Sequence, residues 1–186
     1  MSRIALFGGA FDPPHIGHQA VTLHLLACHD VDEVWWVPSM VHAFGKRMAA
    51  FEHRLGMCER ALRPFAPGRV QLCSVERDLP PPQHTVDTVD WLTRQHPGHT
   101  FCVVIGSDNL ADLERWKDVD RLRLLARILV LPRAGHSAGA LLPEVSSSAV
   151  RQRLRDGAST EAWLDHEVAL YIAAHSLYKV AAGGTG

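Results

Sequence analysis

The chain has 186 residues, 47% of them hydrophobic, enough for a single globular unit to bury a core without disulfides or a structural metal. Its 19 basic and 20 acidic residues leave a formal net charge of -1, so no overall field draws it to nucleic acid or an anionic membrane, and bound anions must be held by local geometry. No apolar run approaches the ~18 residues of a membrane span, and the N-terminus turns at Gly8-Gly9, too early for a signal peptide. Cys28, Cys58, Cys73 and Cys102 lie far apart in apolar stretches with no C-x-x-C pair, which suits reduced core thiols in a cytoplasmic protein and gives no zinc site.

In chain order, the apolar run 4–7 predicts a strand, and 18–28 a helix with Val21, Leu25 and Cys28 on its buried side. A strand follows at 34–37. Residues 38–50 lack periodicity and carry Lys46 and Arg47, the pattern of a mobile loop beside a site. A helix is expected at 51–62, buried through Leu55, Cys58 and Leu62, then a strand at 70–75 and a helix at 85–92. Strands at 101–105 and 128–131 precede two more helices, one opening after Ser146-Ser147-Ser148 and one at 164–174. Nearly continuous Val/Ile-rich strands alternating with helices predict an α/β, doubly wound parallel sheet with right-handed crossovers. Residues 1–180 are expected to form one domain and 181–186 a flexible tail.

The first strand ends directly before Gly8-Gly9-Ala10-Phe11-Asp12-Pro13-Pro14-His15-Ile16-Gly17-His18. Ligands of open α/β sheets sit beyond the carboxyl ends of the strands. Two glycines admit an anion close to the backbone, and a helix opening near Gly17 aims unpaired N–H groups at the same place. His15 and His18, three residues apart at the mouth of that helix, can face one anion together. Phosphoryl and nucleotidyl transfer needs such fixed donors where negative charge grows.

The pattern G-G-x-F-D-P-x-H-x-G-H resembles the H-x-G-H nucleotidyltransferase superfamily, with its Rossmann-like fold. The string His15-Ile16-Gly17-His18 is also similar to class I aminoacyl-tRNA synthetases, but the chain is too short for one and lacks a lysine-rich K-M-S-K-S-like loop. Ser146-Ser147-Ser148-Ala149-Val150-Arg151 resembles the superfamily's I-S-S-T-x-I-R element, with a serine positioned as helix cap and an arginine close behind it. His84-Thr85-Val86-Asp87-Thr88, Ile105-Gly106-Ser107-Asp108, Trp116 and the closing helix with Tyr171 and Tyr178 extend the likeness to bacterial nicotinate mononucleotide adenylyltransferases across nearly the whole chain.

The resemblance implies that ATP is bound by Gly8, Gly9, Phe11, His15, His18, Gly106, Asp108, Ser146, Ser147, Ser148 and Arg151, with His15 and His18 catalytic. It implies a mononucleotide site of Asp12, Lys46, Thr85, Trp116 and Arg133, with Thr85 near the pyridine carboxyl group and Trp116 on the ring. His84 stands where the family has tyrosine, and the family's P-P-H-K loop has no clean counterpart around His42 and Lys46. The expected reaction joins ATP to nicotinate mononucleotide, giving deamido-NAD and pyrophosphate, with magnesium carried on the ATP phosphates and no protein metal site. Nicotinamide mononucleotide, phosphopantetheine, or an alcohol phosphate with CTP are the alternative substrates, and a non-catalytic ATP- or NAD-sensing module is the alternative class. The oligomeric state stays open.

Overall fold

The computed structural model describes residues 1–41, 48–132 and 143–179. The apolar runs form five strands, β1 (Ser2–Gly9), β2 (Glu33–Pro38), β3 (Val70–Leu72), β4 (His99–Gly106) and β5 (Arg127–Leu131). They make one fully parallel sheet in the order β3-β2-β1-β4-β5. Around it lie helices α1 (Ile16–Cys28), α2 (Phe51–Leu62), α3 (Thr85–Gln95), α4 (Val119–Leu125), α5 (Ser147–Arg155) and α6 (His166–Ala174).

Both faces of the sheet are covered, which explains the unbroken hydrophobicity of its strands. Ala5, Val34, Trp36, Cys102 and Val104 face a core shared with Leu25 of α1, Met57 of α2, Val150 of α5, and Val168 and Ile172 of α6. Their strand neighbours Ile4, Leu6, Trp35, Val37, Phe101 and Val103 face a second core with Val86, Val89 and Leu92 of α3 and Leu122 of α4. From β1 the chain crosses to β2 on one side, while β4 pairs with β1 on the other. The crevice between the carboxyl ends of β1 and β4 is therefore the switch point where doubly wound sheets bind ligands.

Three details depart from the sequence expectations. Strand β3 stops at Leu72; Cys73 still donates its N–H to the Trp36 carbonyl, but Val75 enters the core from a 3-10 turn, Val75–Arg77. Cys28 is exposed, so it is not a core thiol: it follows the buried Leu25 by three residues but is the last residue of α1, at the exposed end of the helix. The 3-10 segment Ser107–Arg115 and helix α4 were not among the expected elements: each is short, charged and anchored by one buried leucine, Leu113 and Leu122 respectively.

Candidate active site

A cleft of about 790 Å³ opens at the switch point, lined on one wall by Gly8, Gly9, His15 and His18 from the β1–α1 connection. Phe11, within that connection, adopts a left-handed backbone (φ 47°), which costs a non-glycine residue roughly 1–2 kcal/mol. Burial of its ring offsets this. The ring stacks on Trp36 at 4.6 Å and 9° and lies 4.8 Å from the His18 ring. The side chain of Phe11, expected against ATP, is thus a buried support beneath His18.

The two imidazoles lie 3.8 Å apart, inclined by 35°. The His15 backbone N–H donates to His18 Nδ1 at 3.1 Å, closing the start of α1. Because Nδ1 accepts, the His18 proton sits on Nε2, which makes that nitrogen a donor. Beneath, Trp36 Nε1 donates to Thr22 Oγ1 at 2.8 Å and the Thr22 hydroxyl donates to the His18 carbonyl at 3.0 Å. Gly17 is required by the same packing: a Cβ there would stand 2.9 Å from His15 Nδ1.

Helix α5 brings the second motif onto this wall. Ser146 caps it, accepting from the Ala149 N–H at 3.2 Å, while the Ser147 hydroxyl donates to the Pro13 carbonyl at 2.9 Å. Arg151, five residues into the helix, donates to the Asp12 carbonyl at 2.5 Å and to Ser148 Oγ at 3.1 Å, and its Nη1 lies 3.4 Å from Asp12 Oδ2. Asp12 is only 2% exposed, and its Oδ1 accepts from the Ala49 N–H at 3.1 Å and the Tyr178 hydroxyl at 2.8 Å. Its carboxylate therefore joins four segments of the chain. Burial, then the negative charge of Asp12, raises the Tyr178 phenol well above its usual range, so it remains a donor.

Sequence reasoning missed Arg54 and Glu76. Arg54 lies on the buried stripe of α2, three residues after Phe51 and four before Cys58, and a charge at that spacing was a readable sign of a functional or bracing role. Its guanidinium, 1% exposed, donates to the carbonyls of Ala10 at 2.8 Å, Ala49 at 3.1 Å and Met40 at 3.4 Å. It braces the stems of the loop after β2 against the loop after β1. Burial lowers its pKa, opposed first by the Asp12 charge. Glu76 lines the cleft and accepts from the Met40 N–H at 2.7 Å. Burial pushes its carboxyl up, opposed by that hydrogen bond and by Arg54.

The opposite end of the cleft is lined by Thr85 and Thr88 at the start of α3, by Gly106 at the end of β4 with Asp108 and Asn109 just beyond it, and by Trp116. Of the sequence-based candidates, Gly8, Gly9, Asp12, His15, His18, Thr85, Gly106, Asp108, Trp116, Ser146, Ser147, Ser148 and Arg151 all line this one cleft. Lys46, its neighbour His42, Arg133 and the tail 181–186 lie outside the described residues.

Residues 6–153 match the cytidylyltransferase-like family model. A Myxococcus xanthus protein named probable nicotinate-nucleotide adenylyltransferase is 41% identical over 180 residues, spanning 95% of this chain and 94% of its own length. Among solved structures, a Vibrio parahaemolyticus protein assigned as a nicotinate-nucleotide adenylyltransferase superposes with a TM-score of 0.78 at 22% identity, covering 96% of both chains. The Plasmodium falciparum nicotinic acid mononucleotide adenylyltransferase complexed with NaAD gives a TM-score of 0.73 at 19% identity, over 96% of this chain and 98% of that one. These two structural likenesses bear on the fold.

Proposed function

The chain belongs to the cytidylyltransferase-like family, among relatives named nicotinate-nucleotide adenylyltransferases, and from that premise we propose that it transfers the adenylyl group of ATP to nicotinate mononucleotide. The carrying observation is the close, tilted His15–His18 pair at the mouth of α1, set in the crevice between β1 and β4. A phosphate oxygen of the acceptor forms a bond to the α-phosphorus of ATP, and the bond from that phosphorus to the bridging oxygen breaks, releasing pyrophosphate. No side chain is the nucleophile. Holding the two phosphates in line supplies much of the rate, since orientation alone can remove ~7 to 11 kcal/mol of barrier.

In this reading His18 Nε2–H, His15 and the first N–H groups of α1 stabilise the charge that grows on the transferred and leaving phosphates. Ser146, Ser148 and Arg151 hold the triphosphate from the α5 side, while Gly106 and Asp108 meet the nucleotides between the two walls. Thr85 and Trp116 receive the pyridine ring, the indole gaining ~0.5 to 2 kcal/mol from a flat cation over its face. Asp12 acts through its grip on Arg151, and Lys46 and Arg133 add charge to the acceptor phosphate.

The donor set fits a magnesium ion that arrives on the substrate. Asp108 is one of the carboxylates that line the cleft, and an ion bound mainly through the ATP phosphates needs only one or two of them. Such an ion would neutralise the triphosphate charge. Among the described residues no helix is long and apolar enough to cross a membrane, and the four free cysteines fit a reducing compartment such as the cytoplasm.

A pyrophosphate-release assay tests the reading, pairing ATP or CTP with nicotinate mononucleotide, nicotinamide mononucleotide and phosphopantetheine. Release is expected with ATP and nicotinate mononucleotide. Release with a different pair alone would reassign the substrates, and none with any pair would make the cleft a binding module.

A further inference from the structure

The stretch that joins β2 to α2 is held at both ends through its backbone, and one side chain serves both ends. Met40 gives its N–H to Glu76 Oε2 at 2.7 Å, and its carbonyl accepts from Arg54 Nη2 at 3.4 Å. Ala49 gives its N–H to Asp12 Oδ1 at 3.1 Å, and its carbonyl accepts from Arg54 Nε at 3.1 Å. The third guanidinium nitrogen, Nη1, donates to the Ala10 carbonyl at 2.8 Å in the loop after β1. Each nitrogen thus grips a different segment. Those segments are cleft wall: Ala10, Ser39 and Met48 all line it, each at or beside a gripped carbonyl.

Stability alone does not call for a cation here. Arg54 is 1% exposed on the apolar stripe of α2, and an apolar side chain in place of a buried ionic group is often neutral or stabilising. What an apolar side chain cannot do is fix three carbonyls at set distances, which the rigid planar fork of arginine does. The three segments depend on it unequally. The loop after β1 has further anchors, Phe11 on Trp36, Asp12 on Arg151 and Tyr178, and Pro13 on Ser147. Without Arg54, Met40 and Ala49 would keep one side-chain tie each. The β2 side of the cleft, with Ser39 and Met48, is therefore the part whose position depends most on this residue. Since α5 and the β1–α1 connection hold the triphosphate in the reading above, the β2 side is left to the acceptor.

We propose that Arg54 is a positioning residue for the transfer step: by gripping three stretches of cleft wall at once it sets the spacing between the phosphate wall and the acceptor side, and so the alignment of the acceptor phosphate with the α-phosphorus. This rests on the adenylyl-transfer reading above and adds to it the residue that keeps the two halves of the site in register.

The test compares wild type with Arg54→Lys, which keeps the charge but gathers its donors on one atom, and Arg54→Met, which keeps an apolar stem and no donor. Each is measured for thermal unfolding, for the Kd of ATP without acceptor, and for kcat and acceptor KM in pyrophosphate release, at a temperature well below its own melting point. Misplacing reacting groups by ~1 Å can cost about a hundredfold in rate, so kcat should fall roughly ten- to hundredfold in both variants. Acceptor KM should rise while the Kd of ATP stays near wild type. Lysine should recover melting temperature better than rate, because it returns the charge beside Asp12 and Glu76 without the grip on three carbonyls. A folded variant that melts earlier yet turns over as fast as wild type would overturn the role, and so would full recovery of rate by lysine. Loss of ATP binding in step with the rate would overturn it too, placing Arg54 behind the donor site. A wild type that releases no pyrophosphate with any acceptor would overturn the underlying reading and this role with it.

Discussion

The Tyr178 hydroxyl donates a 2.8 Å hydrogen bond to Oδ1 of Asp12, tying the segment after α6 to the loop that opens on the cleft. Asp12 in turn holds Arg151, so an aromatic residue near the end of the chain helps set a cation at the triphosphate side. Replacing Tyr178 by phenylalanine leaves Oδ1 with the Ala49 N–H alone among the contacts described above. Loss of one bond to a buried carboxylate should lower stability by about 1.5–3 kcal/mol. KM for ATP should rise several-fold while KM for the mononucleotide changes little. Thermal unfolding and two-substrate kinetics check this; an unchanged melting temperature would show that Asp12 does not depend on the phenol.

Gly17→Ala separates fold from function. Alanine is favoured over glycine within a helix by up to about 1 kcal/mol, which should hold or raise the melting temperature. The added Cβ, however, would stand 2.9 Å from His15 Nδ1 and 3.0 Å from Cε1, distances that force the ring to move. Turnover should drop at least tenfold in a protein that unfolds no earlier than wild type. Equal turnover would mean that His15 can shift without consequence and is not a fixed donor.

The architecture was largely legible because continuous apolar strands and amphipathic helices carry their own signal, and because the Gly8 to His18 segment concentrates unusual residues at a strand end. What escaped depended on tertiary partners. Nothing local marks the Phe11 ring as a prop for His18, since its burial depends on Trp36 arriving from β2. The inward turn of Asp12 depends on Tyr178 and Arg151, distant in sequence. Thr22, outside the apolar stripe expected for α1, is buried because the Trp36 indole donates to its hydroxyl and that hydroxyl donates to the His18 carbonyl. Arg54 is the exception, a charge on the apolar stripe of α2 that could have been questioned from spacing alone.

His18→Ala removes two things at once. The His15 N–H loses its acceptor at the start of α1, costing about 0.5–2 kcal/mol of stability by analogy with a lost helix cap. The cleft loses the Nε2 donor, and a preorganised donor at an anionic transition state is typically worth ~2.7 to 4 kcal/mol, or about 100-fold or more in turnover. His18→Asn can supply a short side-chain acceptor near the helix start but cannot place a donor where Nε2 stands. It should recover part of the melting temperature and little of the turnover. Full recovery of rate by asparagine would reduce His18 to a cap.

Glu76 gives the pH test. Burial raises its carboxyl above the ordinary value of 4.5, despite the Met40 N–H and the Arg54 charge, so folding favours the protonated form. The sign follows from linkage: its favourable contribution is complete below about 4.5 and is lost as pH rises through the higher folded value. Above that, the ionised carboxylate is a net cost. Glutamine copies the protonated form, keeping an oxygen to accept from Met40 and carrying no charge. Glu76→Gln should therefore melt above wild type at pH 7 to 8, with the gap narrowing as pH falls and closing below about 4.5. Groups common to both proteins cancel in the difference, so the pH dependence of the gap belongs to this position. Melting curves of the pair from pH 4 to 8 give the measurement. A gap that is constant across the range, or a wild type that is the more stable at pH 8, would show that Arg54 and the Met40 amide outweigh burial and hold Glu76 as a favourable anion.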